Sequence, residues 1–456
     1  MRHCFLAVFA SLGLAAAAVA AVGATVTTTA AAKPNILHIN ADDHRADGLR
    51  ALGNPVLHTP NLDALAARGL VFTRAYTMGA MTPAVCLPSR IMMHTGRSLF
   101  RVSGHKEVPG TVPLAALLKS AGYETWHLGK RGNEYRPAMQ VFDTYQIDDG
   151  QGEGELGNRA YSSRRYADRT IAFLQKRDAA KPFYIYLGPP APHDPREAEP
   201  QFHALYDPAK IPLSPAFLPQ HPWDNGDMAV RDERLAPWPR TPEDTRRQLA
   251  DYYACITGLD YHIGRIVEAL RQNGQLANTL IVFTGDNGLS MGEHGLFGKQ
   301  NLYEFGGMHV PFVIAGPGIP RGRRETFVYL MDLYPTLCHF AGVTPPAETE
   351  GRDLRPLFAD SAAKVRDVLF TAYLDVQRAI RDERWKLIRY PQVDRTQLFD
   401  LAADPHELTN LANQPAHAAT LARLRSWLEA ESKRLGDTVT WTSAQTKPAA
   451  WTPPSK

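Results

Sequence analysis

Cysteine is scarce in this chain, with four in 456 residues, too few for a disulfide scaffold. Charge of one sign is also lacking. Fifty Lys and Arg face 47 Asp and Glu for a net of +3, so electrostatics give no reason to expect nucleic acid. Zinc-finger spacings, a basic stripe and an RNA-binding aromatic motif are absent too. Beyond the N-terminus no apolar run is long enough to span a bilayer, which argues against stable membrane insertion. No internal repeat is present. Composition is 44% hydrophobic and 21% charged, which excludes a disordered or fibrous chain.

What is present begins with a leader. Arg2 and His3 precede an unbroken apolar run over residues 5–22, followed by small residues to Ala32. This order predicts an export signal over residues 1–32 and a periplasmic or extracellular product. The rival reading is a membrane anchor, because the run is close to the minimum span length. Cys4 precedes the run, so a lipoprotein is excluded, and it departs with the leader. Cys86, Cys255 and Cys338 remain, an odd number that flags one thiol with a separate task. Cys255 and Cys338 sit in apolar helical patterns that suit burial, and a bond between them stays open.

Strands and helices alternate along the mature chain. Short apolar runs over 34–40, 71–75, 123–128, 183–187 and 279–284 read as strands, and 59–69, 112–121, 161–176 and 251–273 as helices. Such alternation predicts an α/β domain with a mostly parallel central sheet flanked by helices. It is assigned to residues 33–345. Residues 378–390 and 397–401 read as antiparallel strands and 416–435 as a helix, giving a small α+β lobe over 346–440. The Thr/Pro/Lys segment 441–456 reads as a frayed tail. Residues 188–242 are Pro-rich and aperiodic, and a loop of that length is functional or disordered.

Three strands end in polar clusters. Asp42-Asp43 follows the first, Asp286-Asn287 follows 279–284, and a proline-rich turn leading to His193 follows 183–187. Ligands of open α/β sheets bind beyond the carboxyl ends of the strands. Three carboxylates and an amide oxygen gathered there suit Ca²⁺ or Mg²⁺. Each pair alone is also ordinary turn chemistry. Their common placement at strand ends favours a cation site.

The segment Cys86-Leu87-Pro88-Ser89-Arg90 decides the reading. Chance produces this pattern in about one chain in a thousand of this length. It resembles the Cys-x-Pro-Ser-Arg signature of the type I sulfatases, members of the alkaline phosphatase superfamily, and the resemblance spans most of the mature chain. It implies a sulfuric ester hydrolase of alkaline-phosphatase-like fold. In that family a formylglycine-generating enzyme oxidises the Cys to formylglycine, whose hydrate attacks sulfur. A thiol would give a dead-end adduct, whereas a sulfated diol collapses to the aldehyde and expels sulfate.

The resemblance carries further roles. Asp42, Asp43, Asp286 and Asn287 match the cation ligands together with the modified Cys86, and Asp286 also matches the base that polarises the diol. Arg90 matches the arginine that holds the modified residue. Lys130 and Lys299 match lysines on sulfate oxygens, and His193 the histidine that protonates the leaving alkoxide. His294 is a candidate substrate contact, or equally a loop hydrogen-bonding residue. Residues 379–388, 397–401 and 404–412 are similar to the small sulfatase subdomain, with a packing role. One position departs from the family. After Gly129-Lys130 the family has a histidine where this chain has Gly132, and Asn133, His105, or Asp286 with the cation is left to assist breakdown of the sulfated intermediate.

Other functions remain to be separated. A phosphonate monoester or phosphodiester hydrolase shares the fold and the modified cysteine. Gly288-Leu-Ser290-Met-Gly292 matches a serine-esterase elbow, but Ser290 lies beyond the strand rather than at its turn. A non-catalytic binding module would leave Cys86 unmodified. Export favours an extracellular sulfated ester, a saccharide first and an aryl or choline sulfate next. Trp223, Trp238, Arg231 and Arg240 in the long loop either form a sugar-binding wall or simply pack.

Overall fold

The computed structural model describes Met1 and residues 33–102, 110–148 and 157–453. Met1 apart, the expected leader lies outside the described residues, as does His105. Among the described residues, no helix is long and apolar enough to cross a membrane.

Among the described residues, thirteen strands form two sheets. They are β1 (Asn35–Ala41), β2 (Leu70–Tyr76), β3 (Gly79–Ala80), β4 (Glu124–Lys130), β5 (Thr144–Asp148), β6 (Phe183–Gly188), β7 (Thr279–Gly285), β8 (His309–Ala315), β9 (Gly322–Tyr329), β10 (Leu369–Tyr373), β11 (Gln377–Arg381), β12 (Trp385–Tyr390) and β13 (Arg395–Asp400). The large sheet runs β5-β4-β6-β1-β7-β8-β2-β9. Only β8 runs against the rest, pairing antiparallel with both β7 and β2. The expected mostly parallel sheet is therefore present. The second sheet, β13-β12-β11-β10-β3, is antiparallel except for β3, which pairs parallel with β10.

β1 shows why the centre of the large sheet is buried on both sides. Ile36 belongs to one apolar cluster and Leu37 and Ile39 to another on the opposite face, the pattern of a parallel strand covered by helices twice over. Helices Pro60–Arg68, Ser162–Lys176 and Pro242–Gln272 contribute Leu62, Tyr166 and Ile263 to the second cluster. Polar groups inside the sheet find partners: Asn40 Nδ2 donates to Tyr186 at 2.9 Å and Thr284 Oγ1 donates to Asn40 Oδ1 at 2.9 Å.

Two expectations change, and one left open is settled. The long helix starts at Pro242, nine residues before the expected 251, because Thr241 caps it by accepting from Asp244 N and Pro242 fits the first turn. The tail does not fray through residue 453. Trp441, Ala449 and Trp451 pack on the main apolar cluster, and Asp224 N donates to Ala449 O at 2.9 Å. Cys255 and Cys338 are free thiols in separate apolar clusters. The small sheet borrows β3 from the 33–345 segment, and from Lys33 onward the chain is one compact unit.

Candidate active site

Four adjacent strands, β4-β6-β1-β7, deliver their carboxyl ends to one place. Lys130 ends β4, His193 follows β6, Asp42-Asp43 follows β1, and Asp286-Asn287 follows β7. In an extended strand, neighbouring side chains point to opposite faces. Asp43 avoids this with a left-handed φ of 60°, and the turn is pinned where Tyr252 donates to its carbonyl at 2.7 Å. Both aspartates then face the same atom: their Oδ1 oxygens lie 3.2 and 3.4 Å from Cys86 Sγ.

Cys86 opens the helix Cys86–Thr95. Pro88 lacks an N–H but sits in the first turn, where none is needed. Cys86 and Arg90 are four residues apart and share one helix face. Arg90 Nε donates to Asp286 Oδ2 at 2.8 Å, and its Nη2 stands 3.3 Å from Asp42 Oδ2. Gly96 closes the helix with φ 65°, where a side chain would be strained.

The cations follow the carboxylates. Lys299 Nζ reaches Asp43 Oδ1 at 2.7 Å and Cys86 Sγ at 3.1 Å. Lys130 Nζ lies 2.6 Å from Asp42 Oδ2, and Asn133 Nδ2 donates to the same oxygen at 2.9 Å. His193 Nδ1 donates to Asp194 O at 2.6 Å, which turns Nε2 towards Asp43 Oδ2 at 3.7 Å. Three carboxylates thus meet three fixed cations, Arg90, Lys130 and Lys299.

This balance sets the proton affinities. Burial alone would raise Asp42, but Lys130, His193, Arg90 and Lys299 outweigh it and hold its carboxyl well below the ordinary range. Asp43 is held down to about 2, against burial, by Lys299 and His193. Burial, then the charge of Asp42, pushes Asp286 up to about 6. Burial opposes the charge of Lys299, yet Asp43, Cys86 and Asp232 hold it well above the lysine range. Burial, then Asp286 and Asp42, pushes the Cys86 thiol far up. The unmodified sulfur is thus a neutral thiol and a poor nucleophile.

The donor set fits a divalent cation. Ligand atoms of Asp42, Asp43, Cys86 and His193 lie within 4.8 Å of one another. Asn287 Oδ1 is buried without a hydrogen-bond partner, while its Nδ2 is anchored on Asp43 at 2.8 Å. The oxygens of Asp42, Asp43 and Asn287 are the hard donors that suit Ca²⁺ or Mg²⁺.

Nine of the ten candidate residues therefore converge: Asp42, Asp43, Cys86, Arg90, Lys130, His193, Asp286, Asn287 and Lys299. His294 stands apart, stacked on Tyr303 at 3.8 Å between ring centroids. Burial and nearby His221 and Lys386 push it down to about 3. In the long loop, Trp223 is buried edge-on to Tyr390 and Arg240 is buried against Glu233, so these two pack rather than wall a cleft. Gly132 adopts φ 90°, and the next side chain, Asn133, meets Asp42. Sequence reading missed Asp194, Asp232 and Glu233, which hold the loops of His193 and Lys299. The length of the loop was the only local signal.

Comparison with known proteins identifies the family. The family described as Sulfatase matches residues 34–343, and that described as N-sulphoglucosamine sulphohydrolase, C-terminal, matches 292–434. An N-acetylglucosamine-6-O-sulfatase of Bacteroides thetaiotaomicron is 26% identical over 89% of this chain and 87% of its own. A structure solved with D-glucosamine-2-N,6-O-disulfate as substrate superposes with a TM-score of 0.75 at 24% identity, covering 89% of this chain and 99% of the other. A phosphonate monoester hydrolase of Agrobacterium radiobacter gives 0.74 at 24%, covering 88% and 96%.

Proposed function

Because this chain belongs to the sulfatase family and is a sulfuric ester hydrolase, we propose that it cleaves the sulfate ester of a sulfated carbohydrate, with an oxidised Cys86 as nucleophile. The observation that carries this reading is the seat of Cys86 Sγ, within 3.4 Å of Asp42, Asp43 and Lys299. A sugar substrate is supported by the N-acetylglucosamine-6-O-sulfatase relative. The apolar leader supports export, which would put the enzyme where it meets such esters.

Formylglycine at position 86 would supply a diol oxygen to sulfur in place of the inert thiol. A cation, Ca²⁺ before Mg²⁺, would be held by Asp42, Asp43, Asp286, Asn287 and residue 86 and would screen the sulfate charge. The chain's own groups do the rest. Arg90 and Asp286 fix each other and the base of the nucleophile. Lys130 and Lys299 offer ammonium groups to sulfate oxygens as their charge grows. His193 donates its Nδ1–H to Asp194 O, which aims Nε2 at the ester, and as the imidazolium it would deliver the Nε2 proton to the departing alkoxide. With Arg90, Lys130 and Lys299 offsetting three aspartates, an added divalent cation leaves the pocket positive and attractive to a sulfate monoester.

The test is co-expression with a formylglycine-generating enzyme, peptide mass across residue 86, and inorganic sulfate release from a panel of sulfated sugars. Aldehyde at 86 with sulfate released is expected. Aldehyde present with an aryl phosphonate hydrolysed and every sulfate ester untouched would overturn the reading.

A further inference from the structure

Between β6 and the long helix, three consecutive residues touch both sides of the candidate site. Arg231 is the most exposed of them, its side chain 60% accessible. Its guanidinium grips both carboxylate oxygens of Asp194, with Nη1 donating to Oδ1 at 3.1 Å, and also meets Asp232 at 2.8 Å. Asp194 follows His193 directly, and its carbonyl accepts a hydrogen bond from Nδ1 of that histidine. Arg159 Nη2 steadies the same carbonyl at 2.7 Å.

The next two residues face the other way. Asp232 Oδ2 accepts from Gln300 Nε2 at 2.8 Å and lies 3.9 Å from Lys299 Nζ. Glu233 is buried and accepts from Phe297 N and Gly298 N at 3.0 Å, with Arg240 Nη2 on its Oε2 at 2.7 Å. Phe297 and Gly298 immediately precede Lys299. A Cβ at Gly298 would come within 3.0 Å of Glu233 Oε1 and 2.4 Å of Gln300, so the glycine permits the close approach. His193 and Lys299 lie on opposite oxygens of Asp43.

We infer that Arg231-Asp232-Glu233 is a brace that sets the spacing between the proton donor and the sulfate lysine, with Arg231 positioning His193 through Asp194 and Glu233 positioning Lys299 through the 297–298 amides. The inference rests on the roles proposed above for His193 and Lys299. It assigns function to a stretch of loop that touches neither Cys86 nor the cation ligands. Its consequence is a division of labour. Displacing His193 harms esters whose leaving group needs a proton, whereas displacing Lys299 harms every sulfate ester alike.

The experiment compares R231A, R231K and E233Q in the full, aldehyde-bearing enzyme, on a sulfated sugar and on 4-nitrophenyl sulfate, whose leaving group needs no proton. R231A is expected to lower kcat on the sugar sulfate about tenfold more than on the aryl sulfate, with little change in KM. R231K, which keeps a charge for Asp194, recovers part of that loss. E233Q is expected to slow both esters by a similar factor and to speed hydrogen exchange at the 297–298 amides. Equal slowing of both esters by R231A in an active parent overturns the brace while the sulfatase reading stands. A parent carrying the aldehyde that releases sulfate from neither ester overturns the proposed function and the brace's catalytic role with it.

Discussion

Replacing Lys299 by Met separates two roles of the same ammonium group. In the protein it neutralises Asp43 at 2.7 Å from a side chain only 4% exposed. Breaking a buried pair by removing one partner costs about 3–5 kcal/mol, because the remaining charge is left unpaired. The roughly 420 residues from Lys33 onward carry an unfolding entropy of about 0.9 kcal/mol/K, so Tm in chelator is expected to fall about 3–6 °C. A divalent cation then meets Asp43 without the competing ammonium. Added Ca²⁺ is therefore expected to raise the Tm of the variant by more than that of the parent. Activity falls on the order of 100-fold or more, because a donor aimed at developing charge is gone. Thermal unfolding with chelator and with Ca²⁺, beside sulfate release, reads all three. A variant as stable as the parent in chelator, with no larger gain from Ca²⁺, would refute the pairing and the shared use of Asp43.

Three further outcomes follow from the same geometry. In chain that has not been oxidised, burial, Asp286 and Asp42 hold the Cys86 thiol protonated, so alkylation at pH 8 should be slow until the protein is unfolded, and rapid labelling of the native form would contradict this. Burial and nearby Glu304 push Glu407 up to about 7 from 4.5 despite Lys386. Its favourable contribution is full below about pH 4.5 and is lost as pH rises through about 7, worth on the order of 3 kcal/mol. Glu407→Gln should therefore gain stability relative to the parent between pH 5 and 8, and denaturant unfolding that shows the reverse trend would refute the sign. Asn133→Ala, which deletes the 2.9 Å bond to Asp42, should lower kcat about tenfold with KM little changed, and an unchanged kcat would make that contact idle.

The parts of the site that were legible share a physical origin. Asp42-Asp43 and Asp286-Asn287 interrupt apolar strands, and the Cys86 to Arg90 spacing fixes a common helix face, so local pattern carried their placement. β8 was not legible. It follows β7 without a crossover helix, and Pro311 argues against a strand. The fold tolerates that proline because the β2–β8 register shifts between Phe72 and Ala75, opposite it. The early start of the long helix was hidden by polar first turns around Arg246 and Arg247. The tail looked unanchored because its contacts, such as Asp224 to Ala449, span half the chain. The Arg231–Glu233 brace escaped for the same reason, since Glu233 meets backbone amides 64 and 65 residues away and nothing periodic surrounds it.

The most direct measurement is a rapid quench of the aldehyde-bearing enzyme with a sulfated ester, followed by mass spectrometry of the peptide spanning residue 86. A sulfuryl adduct on that residue, forming and decaying as inorganic sulfate appears, is expected, with both lost in Cys86→Ala. Sulfate release that persists in Cys86→Ala, or an aldehyde that never carries the adduct while sulfate accumulates, would contradict it.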